Sequence, residues 1–281
     1  MSGTTPSVAL PSGETIPTLG QGTWYFGERP ARRSDEIAAI RLGLDLGMTL
    51  VDTAEMYGNG ASEVLVGEAI AGRRDEVFIV DKVLPEHATR TGTGRACRAS
   101  LDRLRTDYID LYLLHWRGSV PLAETVDGLS KLVSEGLIRR WGVSNLDVDD
   151  MTELTGVPGG DGVQTDQILY NLSRRGPEFD LIPWLAERDI PVMAYSPIEQ
   201  GRLLTHPALG EVARGHGASP TQIALAWLLH HQHVCAIPRA GTPAHVEENA
   251  KSRDIVLSSE DLALLDEAFP PPRRARPLEM L

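Results

Sequence analysis

Three short apolar runs in the first half of the chain each end in a residue that can carry a charge or a proton. Leu50-Val51 runs into Asp52, Val77-Phe78-Ile79-Val80 leads to Lys82, and 109–114 leads to His115. Tyr57 lies just past the first run, in a loop closed by Gly58 and Gly60. If these runs are parallel neighbouring strands, a carboxylate, a phenol, an ammonium and an imidazole meet at one rim. A phenol with a pKa of ~10 exchanges protons poorly at neutral pH, and a nearby ammonium favours its ionised form. A carboxylate beside the ammonium keeps it charged and in place, and a histidine can orient a substrate oxygen. Such a set can protonate a carbonyl oxygen while a hydride reaches its carbon.

The elements that would position these residues alternate along the chain. Strands are expected over 19–23, 50–52, 77–82, 109–115, 140–144, 162–167, 191–195 and 235–238. Helices are expected over 35–46, 62–70, 93–104, 122–135, 147–154, 179–188, 221–230 and 244–251. Ser219-Pro220 with Gln222, Thr242-Pro243, and Ser258-Ser259 read as helix starts, the last beginning an extra helix after the eighth unit. Val8-Ala9-Leu10 and Glu14-Thr15-Ile16 flank a Pro-Ser-Gly turn and read as an N-terminal hairpin. Eight strand–helix units argue for a closed (β/α)8 TIM barrel, an α/β fold. The rival open doubly wound sheet lacks its Gly-x-Gly-x-x-Gly after the first strand. No linker divides 1–281, so one barrel domain is expected, with 8–16 as its hairpin and 270–281 as a tail.

In a barrel the chemistry lies where strands end. The strand ends in order are Asp52, Lys82, His115, Ser144-Asn145, Gln167, Tyr195 and Arg239. Strand alternation puts Phe78, Val80 and Lys82 on one face, and Ile109, Leu111, Leu113 and His115 on another single face. Asp81 then points away from the barrel interior.

The chain resembles the aldo-keto reductases. The resemblance runs from Leu19 to about Phe269, and its most specific pieces are 51–58, Leu113-Leu114-His115-Trp116, Gly142-Val143-Ser144-Asn145 and Ala194-Tyr195-Ser196-Pro197. It is nearest to small bacterial members that reduce aldehydes such as methylglyoxal. The resemblance implies a catalytic tetrad of Asp52, Tyr57, Lys82 and His115, with the hairpin plugging the barrel floor. It implies that Ser144, Asn145 and Gln167 bind a nicotinamide carboxamide beside Asp52 and Trp24, that Tyr195 stacks on the ring, and that Ser196, Pro197, Ile198 and Gly201 belong to the pyrophosphate loop. Ile237, Pro238, Arg239, His245, Glu248 and Asn249 resemble the adenosine-phosphate site, where the family typically has Lys at 239 and Arg at 245. NADPH is therefore expected, with NADH the alternative, and the preference is expected to grow as pH falls and His245 charges. Trp24 and Trp116, with Tyr57 and His115, are expected to line the substrate pocket. A short loop after His115 and a short tail imply an open pocket for small carbonyls.

A formal charge of −12 argues against nucleic acid or an anionic membrane as partner. The two cysteines, Cys97 and Cys235, and an N-terminus with neither a basic start nor an apolar run suggest a cytoplasmic protein without disulfides. A monomer is expected, and no metal: the His230-His231-Gln232-His233 cluster would lie on the wrong rim. Arg273-Arg274-Ala275-Arg276 is too short for a nucleic-acid arm. Two rival functions stand beside a carbonyl reductase. One is a weakly catalytic or non-catalytic cofactor-binding regulatory barrel. The other is a metallohydrolase, whose usual first-strand His-x-His is absent.

Overall fold

The computed structural model describes residues 6–281. An antiparallel hairpin, β1 (Ser7–Ala9) and β2 (Thr15–Pro17), pairs Val8 with Ile16. Eight parallel strands follow: β3 (Gln21–Gly22), β4 (Leu50–Asp52), β5 (Phe78–Val83), β6 (Ile109–Leu114), β7 (Ile138–Ser144), β8 (Asp166–Leu169), β9 (Val192–Tyr195) and β10 (Val234–Ala236). They lie side by side in chain order. The sheet closes on itself. Gly20 N–H donates to the Ala236 carbonyl at 2.8 Å, Ala236 N–H to that of Thr18 at 2.8 Å, and Gly22 N–H to that of Pro238 at 3.1 Å. Closure needs glycine at 22, because a Cβ there would meet the Ile237 carbonyl oxygen at 2.8 Å.

The helices ring the barrel: α1 (Arg33–Asp45), α2 (Ala61–Ala69), α3 (Gly92–Leu104), α4 (Leu122–Ser134), α5 (Val148–Gly156), α6 (Leu181–Ala186), α7 (Pro207–His216), α8 (Pro220–His230), α9 (Pro243–Ala250) and α10 (Ser259–Ala268). Two cores result. Between strands and helices lies a large apolar shell that includes Val51, Ile79, Tyr112 and Trp227. Inside the barrel, Leu50, Val80, Leu111, Leu113, Met193 and Cys235 pack with Val8, Leu10 and Ile16 of the hairpin. The hairpin therefore closes the barrel end opposite the strand C-termini. Strands covered on both faces favour apolar residues on both, which is why β9 and β10 read as runs and not as alternations.

The three helix starts marked in the sequence follow their caps. Ser219 and Gln222 form a reciprocal capping box, Thr242 Oγ1 accepts from His245 N–H, and Ser258 caps α10 with Asp261. Three expectations are corrected. The sixth strand starts at Asp166, not 162, because Gly160–Gly162 is a single helical turn. The helix expected over 179–188 is α6 alone, with a separate turn, Gly176–Glu178, before it. α7 was not expected at all: Gly210 and Gly215 mask its pattern, but Leu209, Val212 and Ala213 form its buried face.

Candidate active site

The tetrad residues meet at the C-terminal rim. Registers Asp52↔Val80 and Lys82↔Leu113 bring β4, β5 and β6 into line. The chain after β4 turns sharply through Gly58 (φ 56°), Asn59 (φ 52°) and Gly60 (φ 88°). Three left-handed residues in succession fit the Gly-Asn-Gly sequence and fold the Tyr57 loop tightly over the rim. Lys82 Nζ donates to Asp52 Oδ2 at 2.8 Å, to the Thr53 carbonyl at 2.7 Å and to Tyr57 Oη at 3.2 Å. Its three protons are thus committed. Because Tyr57 Oη accepts from Lys82, its own O–H is free to point into the cavity. Gln167 Nε2 donates to the other carboxylate oxygen of Asp52 at 2.7 Å.

Lys82 is fully buried, yet its ammonium is held above the ordinary lysine range: burial opposes the charge, and Asp52 and Tyr57 outweigh it. The expected lowering of the Tyr57 phenol is reversed. Burial pushes it up, and Lys82 only partly offsets this. A phenol held above its ordinary value is protonated at neutral pH, the form an acid needs at the start of a reduction.

His115 is 7% exposed, its ring centroid is 5.8 Å from that of Tyr57, and its Nδ1 has no partner. Burial, and secondarily Lys82, push its pKa down to about 2. It is a neutral imidazole, suited to hydrogen-bonding an oxygen and not to charging it. In an NMR titration, the His115 ring signals should keep their neutral positions from about pH 8 to 5, across the ordinary histidine value of ~6.5. Protonation of His115 near 6.5 would contradict this electrostatic picture.

Asp81 lies behind Lys82, on the helix side of β5, as alternation requires. Its Oδ1 accepts Lys82 N–H at 2.9 Å and its Oδ2 is unpartnered. Burial and nearby Glu63 push its carboxyl well above the usual range.

Two adjoining spaces open from this rim. A cavity of about 220 Å³ is lined by Trp24, Tyr57, His115, Trp116, Ser144, Asn145, Gln167 and Tyr195. A cleft of about 350 Å³ runs past Trp24, Asp52, Tyr57, Tyr195, Ser196, Pro197, Ile198, Gly201 and Ile237 to Arg239. Trp24, Tyr57 and Tyr195 border both. Tyr195 O–H donates to Asn145 Oδ1 at 3.0 Å, and Ser144 O–H donates to the Gln167 carbonyl at 2.7 Å. The loop after β9 is pinned by Glu199, which accepts from Asn171, Arg174 and Arg202.

Pro238, His245, Glu248 and Asn249 line neither space. Pro238 serves barrel closure. Glu248 accepts the Ser219 hydroxyl at 2.5 Å, Asn249 is buried, and the His245 side chain is exposed. Sequence reasoning missed Tyr25 and Gln200 in the cleft, and Met56, Met280 and Leu281 in the cavity. Tyr25 had a signal in the Trp24-Tyr25-Phe26 run at a strand end; its ring stacks on Trp24 at 4.4 Å. Met280 and Leu281, both about half exposed, add to the cavity wall. The tail crosses the rim, held by an ion pair of 2.8 Å between Arg174 and Glu279 and by Leu278 against the outer core.

The chain is similar to known proteins along most of its length. The model of the aldo/keto reductase family matches residues 18–269. Methylglyoxal reductase YeaE of Escherichia coli (strain K12) is 51% identical over 272 residues, 95% of this chain and 96% of its own length. An aldo/keto reductase from Klebsiella pneumoniae, solved with NADP and acetate, superposes with a TM-score of 0.96 at 49% identity, covering 98% of this chain and 99% of that one. A Klebsiella pneumoniae aldo-keto reductase solved with NADPH gives 0.97 at 48% identity, covering 99% of this chain and 100% of that one. With a family match along most of its length and relatives alike from end to end, the chain belongs to the aldo/keto reductase family.

Proposed function

We propose that the protein is an NADPH-dependent reductase of small aldehydes and ketones, 2-oxoaldehydes such as methylglyoxal among them. The observation that carries this is the chain Asp52–Lys82–Tyr57, whose phenol borders both a small cavity and a neighbouring cleft. When bound, NADPH supplies a hydride. Tyr57 gives its proton to the carbonyl oxygen, and the neutral His115 ring hydrogen-bonds and orients that oxygen. Lys82 stabilises the phenolate that is left, and Asp52 keeps Lys82 charged. Two features of the cleft support a dinucleotide there: Tyr195 offers a flat ring, and Arg239 a positive charge at the far end. Asn145 Oδ1 and Gln167 Oε1 retain acceptor capacity for a carboxamide NH₂. The intact tetrad weighs against a non-catalytic regulatory barrel. Among the described residues no helix is long and apolar enough to cross a membrane, and no group of three or more metal-ligating side chains is found. The chain is read as a monomeric, single-domain cytoplasmic enzyme.

The test is loss of NADPH absorbance with a panel of aldehydes of graded size, run on the wild type and on Met280→Ala/Leu281→Ala. Methylglyoxal should be reduced by both at similar kcat/KM. Aldehydes too bulky for the wild-type cavity should gain on the order of tenfold in the variant. No turnover of any aldehyde in the wild type would refute the reductase reading. An unchanged size profile in the variant would show that the tail does not bound the substrate.

A further inference from the structure

Arg239 has company at the far end of the cleft. At Gly241, where the chain approaches α9, a Cβ would lie 3.6 Å from Arg239 Nη2 and 3.8 Å from Arg32 Nη2. Two guanidinium groups, one from each end of the chain, therefore converge on one spot. Arg32 comes from the single helical turn Pro30–Arg32, between β3 and α1. Beside them is the buried ring of Phe26, whose centroid is 5.3 Å from the Arg239 guanidinium carbon and whose edge would lie 3.8 Å from the same Cβ. Arg33, next in sequence, is paired with Glu68, but Arg29, Arg32 and Arg239 form no ion pair among the described residues.

The charges around Arg239 are few. Arg32 and Arg29 repel it, and Glu36 and Glu28 attract it. Glu36 is buried and accepts Gly27 N–H at 3.0 Å. From α9, His245 adds an exposed imidazole. Bringing guanidinium groups together without an ion pair to either costs free energy that a bound anion would recover. Each offers a planar fork suited to phosphate oxygens.

Resting on the NADPH reading, we propose that Arg32 is the second positive ligand of the cofactor's 2′-phosphate, the role the family resemblance gave to position 245. The βα loop after β3 and the segment before α9 then grip the phosphate from two sides. Arginine stays charged at any working pH. The phosphate, with its second pKa of ~6, becomes more negative as pH rises. The NADPH preference therefore does not decline between about pH 6 and 8, which reverses the expectation based on His245.

The experiment measures Kd for NADPH and NADH by quenching of tryptophan fluorescence, and for 2′,5′-ADP and 5′-AMP by calorimetry. It uses the wild type, Arg32→Ala, Arg32→Lys and Arg239→Ala, at about pH 6 and 8. Arg32→Ala should weaken NADPH and 2′,5′-ADP by about tenfold while NADH and 5′-AMP change by less than about twofold. Arg32→Lys should recover part of the loss. If Arg239→Ala removes the preference and Arg32→Ala leaves it intact, the inference is wrong and the NADPH reading stands. A wild-type preference that collapses at the higher pH would return the role to His245 and likewise overturn it. Equal affinity for both cofactors in the wild type would overturn the NADPH reading and this inference together.

Discussion

Tyr57→Phe should lower kcat for aldehyde reduction by about 10²-fold or more and leave the affinity for NADPH nearly unchanged. The substitution deletes one oxygen. That oxygen accepts a single hydrogen bond, from Lys82 at 3.2 Å, and Lys82 keeps its two other partners, so the buried ion pair survives. The ring itself stays, and with it the wall between cavity and cleft. What is lost is the only hydroxyl proton aimed at the cavity from the tetrad. The neutral His115 does not replace it, because a ring held at a pKa of about 2 has no second proton to give. The loss therefore falls on kcat and not on cofactor binding. The measurement is steady-state kinetics with methylglyoxal alongside fluorescence titration with NADPH. Turnover within a few-fold of the wild type would remove Tyr57 from the role of acid.

Much of the barrel and most of the tetrad could be read from one sequence because both rest on local rules. Alternation along β5 and β6 decides which side chains face the rim, and it separates Lys82 from Asp81 correctly. The Gly58-Asn59-Gly60 turn is encoded where it occurs. What escaped depends on desolvation or on contacts between distant segments. The Tyr57 phenol was expected to fall because the ammonium was visible in the sequence, whereas the burial that outweighs it was not. Arg32 and Arg239 lie more than two hundred residues apart, and nothing local to either announces the other. Met280 and Leu281 reach the cavity through contacts of the tail with distant segments, Glu279 with Arg174 and Leu278 with the outer core. α7 was hidden by its glycines, although its buried face is regular.

Lys82→Met should cost both activity and stability, and the two losses can be separated. Methionine is close to lysine in length and flexible enough to occupy the same channel, so packing is largely kept. Asp52, 2% exposed, would retain only the Gln167 amide at 2.7 Å. Removing one partner of a buried ion pair typically costs about 3–5 kcal/mol, part of which Asp52 avoids by taking up a proton. Its pKa is already raised by burial against the pull of Lys82, and loss of the ammonium raises it further. A carboxyl whose folded pKa lies above its unfolded value favours folding below the unfolded value and loses that contribution as pH rises through the folded one. The stability deficit of Lys82→Met should therefore be small near pH ~4 and grow toward neutrality. Adding Asp52→Asn, which supplies a neutral amide in place of the stranded acid, should restore most of the stability at pH ~7. It should not restore the chemistry. Without the ammonium the phenolate has no counter-charge, so kcat for reduction should remain at least about 10²-fold down. Residual alcohol oxidation, which needs Tyr57 deprotonated, should shift to higher pH. Urea unfolding across that pH range and pH–rate profiles in both directions supply the comparison. A double variant that regains wild-type turnover, or an oxidation profile unmoved in Lys82→Met, would mean that Lys82 supports the fold of the rim but does not stabilise the charge on Tyr57.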